Sequence, residues 1–92
     1  MTEYSVLVKH SGFVDRFLKS DTPPENIGMS IWWAIEDSEI IRFRRRESAD
    51  NCKRRYELHF AAKGEKIYSF VVVKVVMQPK WIQVDEYERI EG

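Results

Sequence analysis

Apolar and polar positions alternate weakly over residues 3–9, and the run Tyr-Ser-Val-Leu-Val is rich in β-formers, so the pattern predicts a first strand there. Ser11 then stands where a helix cap belongs, and Phe13, Val14, Phe17 and Leu18 recur at helical spacing. A short N-terminal helix ending near Ser20 is the expectation. Residues 21–28 contain Pro23, Pro24 and Gly28, which stop regular structure and predict a loop. From Met29 the pattern turns strand-like. Residues 30–36 and 39–46, joined by a turn at Asp37-Ser38, predict a hairpin in which Ile35 faces Ile40, Trp33 faces Arg42 and Ile31 faces Arg44. Trp32, Ala34, Ile41 and Phe43 fall on its other face, which carries no formal charge and is expected to be core.

Residues 47–52 read as a polar connection. Beyond them Arg54, Tyr56, Leu58, Phe60 and Ala62 alternate with Arg55, Glu57, His59, Ala61 and Lys63. A period of two predicts a strand. The rival is a helix capped by Ser48 and ended by Gly64, which would gather Cys52, Tyr56 and Phe60 on one face but leave Leu58 on the opposite side. On that count the strand is preferred. Lys63-Gly64 makes a turn, and residues 65–77 form the strongest strand in the chain, apolar on both faces and therefore central. Pro79 breaks it. Residues 81–88 make a last strand whose Asp85, Glu86 and Glu88 suit a protected edge. The assembled expectation is one compact domain over residues 1–92, of α+β class and mostly antiparallel β. It is a five- to six-stranded meander or small barrel with one short N-terminal helix.

Composition narrows the class. Ninety-two residues hold a single core, and 43% apolar content with three Trp, four Tyr and five Phe is enough to fill it. Cys52 is the only cysteine, so no intramolecular disulfide and no multi-cysteine zinc site can form within one chain. A lone cysteine fits a reducing compartment. The N-terminal residues show neither the basic nor the long apolar region of a secretory leader. The apolar runs, residues 31–35 and 70–73 among them, are far short of the ~20 residues that cross a bilayer. A cytoplasmic protein without membrane contact is expected.

Charge changes the picture more. The formal net charge is zero, yet it is polarised along the chain. Residues 42–55 hold seven basic and two acidic side chains, residues 1–41 three and seven, and residues 56–92 five and six. On the predicted hairpin Arg42, Arg44 and Arg46 project from one strand face at intervals of ~6.6 Å, a pitch close to that of successive phosphates on an extended strand. Trp33 across from Arg42 could stack a base, and Lys53, Arg54 and Arg55 would extend the track. These seven residues are the candidate site. The leading expectation is a non-enzymatic module that binds nucleic acid, single-stranded or RNA. The alternative is a protein-binding inhibitor or adaptor, for example a small viral or phage factor blocking a host protein, which turns the same basic-aromatic surface to an acidic partner. Internal neutralisation of the patch by the chain's own acids is a third outcome. A homodimer that sets the basic middle of one copy against the acidic ends of another is a further possibility.

Enzymatic chemistry has little to work with. His10, His59 and Cys52 are the only soft ligands or nucleophile–base partners, and none has the spacing of a metal site. No glycine-rich phosphate loop and no nucleophile elbow is present. Cys52 beside Lys53, Arg54 and Arg55 could be an activated thiol, but a small buried side chain is the commoner role. No cofactor and no catalytic residue is expected.

Overall fold

A computed structural model describes residues 2–77 and 80–84. Its elements in chain order are β1 (Tyr4–His10), β2 (Arg16–Phe17), a single 3-10 turn (Asp37–Glu39), α1 (Arg46–Ala62), β3 (Tyr68–Met77) and β4 (Lys80–Gln83). The four strands form one antiparallel open sheet in the order β2-β1-β3-β4, with α1 packed on one face.

The register of β1 on β3 explains which face is covered. Val6 lies opposite Val72 and Val8 opposite Phe70, and all four are buried. Against them α1 lays Ala49, Cys52, Tyr56 and Phe60, spaced by three and four residues, which is the stripe a helix needs to cover a sheet. Trp32 enters this core from the connection between β2 and α1. Its indole lies 5.0 Å from the Phe60 ring and 5.2 Å from the Tyr68 ring, centroid to centroid, both edge-to-face. Central placement of β3 agrees with its two apolar faces, since it pairs with β1 on one side and β4 on the other.

Three sequence-based expectations are overturned. Residues 54–63 are not a strand: residues 54–62 belong to α1, a helix of 17 residues, and Lys63 is its C-cap. The period-two pattern was outweighed because Leu58 can stay 66% exposed at little cost, whereas losing the Cys52–Tyr56–Phe60 stripe would empty the core. The helix also begins ahead of Ser48, with extended Arg45 at its N-cap. Its C-terminus closes as the pattern suggested. Gly64 takes φ of +78°, its N–H donates to the Ala61 carbonyl, and Glu65 N–H reaches the Phe60 carbonyl, a Schellman closure.

The short N-terminal helix is absent. Gly12, at φ +87°, turns the chain back after β1, and Arg16–Phe17 pair with Val8 and Leu7 as an edge strand. Phe13 and Val14 stay exposed at 72% and 74%, so half of the supposed helical face has nothing to pack on. Leu18 alone is fully buried, its N–H donating to the Val6 carbonyl.

The 30–46 hairpin is absent as well. Its two halves do not pair with each other but lie along β1 and β2. Leu18 bridges Trp33, Ile41 N–H donates to the Leu18 carbonyl, and Phe43 bridges Tyr4 with two 2.8 Å hydrogen bonds. Glu39 closes the bend between them by accepting from the N–H groups of Ile35 and Glu36, and those bonds hold its carboxyl below the usual carboxylate range. The free edge of β1 offered more backbone partners than a two-residue turn did.

The described residues thus give four strands where five or six, or a closed barrel, were expected. Phe17 and Trp81 sit on opposite edge strands, which a flat sheet would hold ~14 Å apart, yet their ring centroids are 5.1 Å apart. The register puts both rings on the face away from α1, Phe17 opposite Leu7 and Trp81 opposite Val75. Residues 85–88 of the expected last strand lie outside the described residues, and β4 ends at Gln83.

Candidate binding site

The six basic candidate residues do not form a row. Arg42 sits in the bridge segment beside β1, its Nη1 3.0 Å from Glu3 Oε1 and its guanidinium 5.7 Å from the centroid of the Trp81 ring. The arginine–indole pair expected of Trp33 is therefore made with Trp81, on the face of the sheet away from α1. Arg44 is exposed and just precedes the helix. Arg46, already helical, pairs with Asp50 at 3.5 Å, and Lys53 with Glu57 at 4.0 Å, each one turn further along α1. Arg55 projects from another side of the helix to the Asp21 carboxylate and to the Asp21 main-chain carbonyl at 3.3 Å. Arg54 points into solvent. The 6.6 Å ladder needed a strand through Arg46, and the helix that starts there rotates successive residues by ~100°. Arg44, Arg45 and Arg54 have no ion pair among the described residues.

Cys52 is not an activated thiol. It is buried beneath α1, and burial, followed by the neighbouring Asp21, pushes its pKa up to about 12. His59 is seven residues further along the same helix, ~10 Å away, and its Nε2 meets the Pro24 carbonyl instead. Tyr56 is raised as well, chiefly by burial, and its hydroxyl donates to the Ser20 carbonyl at 2.7 Å, with the Thr22 carbonyl at 3.1 Å. Among the described residues no cluster of His, Cys, Asp and Glu could hold a metal ion. No helix among them is long and apolar enough to cross a membrane.

Trp33 leads elsewhere. It lines a cavity of about 230 Å³ together with Val8, His10, Phe13, Val14, Arg16, Trp32 and Tyr68. Each wall has a local cause. Val8, His10 and Tyr68 come from the end of the β1–β3 ladder, on the face that α1 covers further along. Arg16 lies opposite Val8 on β2 and shares that face. The Gly12 turn swings Phe13 back over His10, their rings 4.5 Å apart, and Tyr68 closes the other side of the imidazole at 4.9 Å. Trp33 stands perpendicular to Trp32 at 5.2 Å, so one indole is anchored in the core and the next forms the cavity wall. His10 Nδ1 is buried without a hydrogen-bond partner, and Arg16 has no ion pair among the described residues.

Of the candidate residues only Trp33 belongs to this cavity. Sequence reasoning missed His10, Phe13, Arg16 and Tyr68 there. The one local signal was Ser11-Gly12 followed by two apolar residues, which reads equally as a tight turn presenting Phe13 and Val14 to solvent. Comparison with protein-family models, with curated proteins and with solved structures finds no match to this chain.

Proposed function

We propose that the protein is a non-enzymatic binding module, an inhibitor or adaptor, that grips another protein at the aromatic cavity around Trp33. The observation that carries this reading is the cavity itself, a 230 Å³ concavity walled by Trp32, Trp33, Phe13 and Tyr68 whose rim leaves Phe13 and Val14 mostly exposed. Concave aromatic walls beside solvent-facing apolar side chains are what an interface anchor occupies. Four of the six cations proposed for phosphate contact already meet an acid of their own chain, which lowers the attraction of residues 42–55 for a polyanion.

Affinity capture with the full chain tests it. Phe13→Ser and Trp33→Ala should each release a partner that the parent protein retains, while Arg44→Ala with Arg54→Ala should keep it. Retention by the two cavity variants would overturn the reading. Nucleic-acid binding stands as a second reading on one observation: Arg44 and Arg45 ahead of α1 and Arg54 on it have no ion pair among the described residues. Saturable quenching of Trp fluorescence by a single-stranded oligonucleotide, weakening steeply with salt, would favour it over the first.

A further inference from the structure

We infer that the cavity takes an aromatic side chain flanked by a carboxylate, so that the partner presents a short acidic-aromatic peptide segment. This rests on the protein-binding reading above and names the chemistry of what is bound.

Size sets the first condition. A volume of about 230 Å³ is below the ~300–1,000 Å³ of pockets that enclose drug-sized ligands, and suits one ring and its first methylene. The walls are rings set edge-to-face, with Trp32 and Trp33 at 86° and His10 and Phe13 at 69°, which leaves an entering ring both faces and edges to meet.

Polarity sets the second. Beside the Tyr68 hydroxyl and the indole N–H groups, the described lining holds two groups suited to an anion, His10 and Arg16. The imidazole is held between Phe13 and Tyr68, and its Nδ1 has no partner. A buried polar atom left unpaired costs stability until something bonds it. Arg16 offers a permanently charged fork from β2 on the same face. An oxygen anion next to the ring would accept from both.

The anion is a carboxylate and not a nucleotide phosphate because the surroundings are wrong for a phosphate chain. A nucleic-acid strand needs cations in succession along its backbone. Here Arg16 is the one cation among the described residues of the lining, and Phe13 and Val14 border it with apolar surface. Arg44 and Arg54 belong to α1 and the residue pair before it, and neither lines the cavity.

The test is a heteronuclear NMR titration of the intact protein with four probes: capped Glu-Phe-Glu, Gln-Phe-Gln and Glu-Leu-Glu tripeptides, and adenosine 5′-monophosphate. Glu-Phe-Glu should shift the Trp33 indole, Arg16 and His10 signals in a saturable way. Gln-Phe-Gln should bind about tenfold more weakly and Glu-Leu-Glu too weakly to saturate. Arg16→Gln should bring Glu-Phe-Glu down to the Gln-Phe-Gln level without altering the latter. Equal binding of the charged and neutral aromatic peptides, or an Arg16→Gln protein that still tells them apart, overturns the carboxylate and leaves protein binding standing. Saturation by the nucleotide alone overturns the inference in favour of nucleic acid. Silence from all three peptides overturns it too, and the capture experiment then judges protein binding by itself.

Discussion

Arg42, Arg46, Lys53 and Arg55 lie within fourteen residues of one another, and the fold gives each a different acid: Glu3, Asp50, Glu57 and Asp21. Val8, Arg16, Trp33 and Tyr68 span sixty-one residues, and the fold gathers them around one cavity. Density along the chain is thus a poor guide to density in space. A helix spreads a basic run around its circumference, and the acids it meets there cancel it pair by pair. A sheet does the opposite: it draws residues distant in sequence to one end of one face, beyond the part that α1 covers.

The contrast is sharpest between two neighbours, Trp32 and Trp33. Trp32 is buried at 4% exposure among Tyr56, Phe60, Tyr68 and Phe70. Trp32→Ala should cost about 3–5 kcal/mol, enough to unfold a domain of this size near ambient temperature. Trp33→Ala removes a half-buried cavity wall and should cost about 1 kcal/mol or less while abolishing ligand binding. Thermal denaturation of the two variants measures this. If Trp33→Ala proves as destabilising as Trp32→Ala, the cavity is core and not a site.

The second expected effect concerns the underside of the basic helix. Cys52 ionises at about 12 in the folded chain against an ordinary thiol value of 9.0. The folded form therefore holds the proton more tightly. Its contribution to stability is complete below pH 9 and is lost as pH climbs from 9 towards 12, because the unfolded chain ionises first. Tyr56, also raised, adds to the same loss above pH 10. Urea midpoints measured between pH 8 and pH 11 should fall, and Cys52→Ala should flatten the early part of that fall. A thiol reagent at pH 8 should leave the native protein untouched and label it once unfolded. Rapid labelling of the native protein would mean that Cys52 belongs with the exposed cations and not with the core.

These two tests also mark what the chain discloses in advance. β1 and β3 were legible because Val6, Val8, Phe70 and Val72 occur in short β-branched and aromatic runs, and a central strand shows itself by being apolar on both faces. The helix was legible only as a rival. Leu58 at helical odds with Cys52, Tyr56 and Phe60 tipped the count, although an exposed leucine carries no penalty that a counting rule should weigh so heavily. The 30–46 hairpin failed for another reason. Its residues were right for extended backbone, but their partners were Leu18 and Tyr4, and pairing between distant segments leaves no periodic mark. The cavity was illegible on the same ground, since Arg16 and His10 become neighbours of Trp33 only through the β1–β2 and β1–β3 registers.

The smallest effect is the one that tests the neutralised half of the comparison directly. Arg55 and Asp21 are each about half exposed, so their ion pair is screened by water and should be worth roughly 0.2–1 kcal/mol by a double-mutant cycle. Arg55→Ala, Asp21→Ala and the double variant, compared by urea unfolding at low and moderate salt, should give a coupling in that range that shrinks as salt rises. The coupling has a consequence for ligands that outweighs its size. If the pair holds, removing Asp21 exposes Arg55 and should raise affinity for a single-stranded oligonucleotide, while Arg55→Ala leaves that affinity unchanged. If Arg55→Ala alone lowers it, the guanidinium was available to phosphate from the start, and the basic segment is a surface in use instead of one cancelled by its own chain.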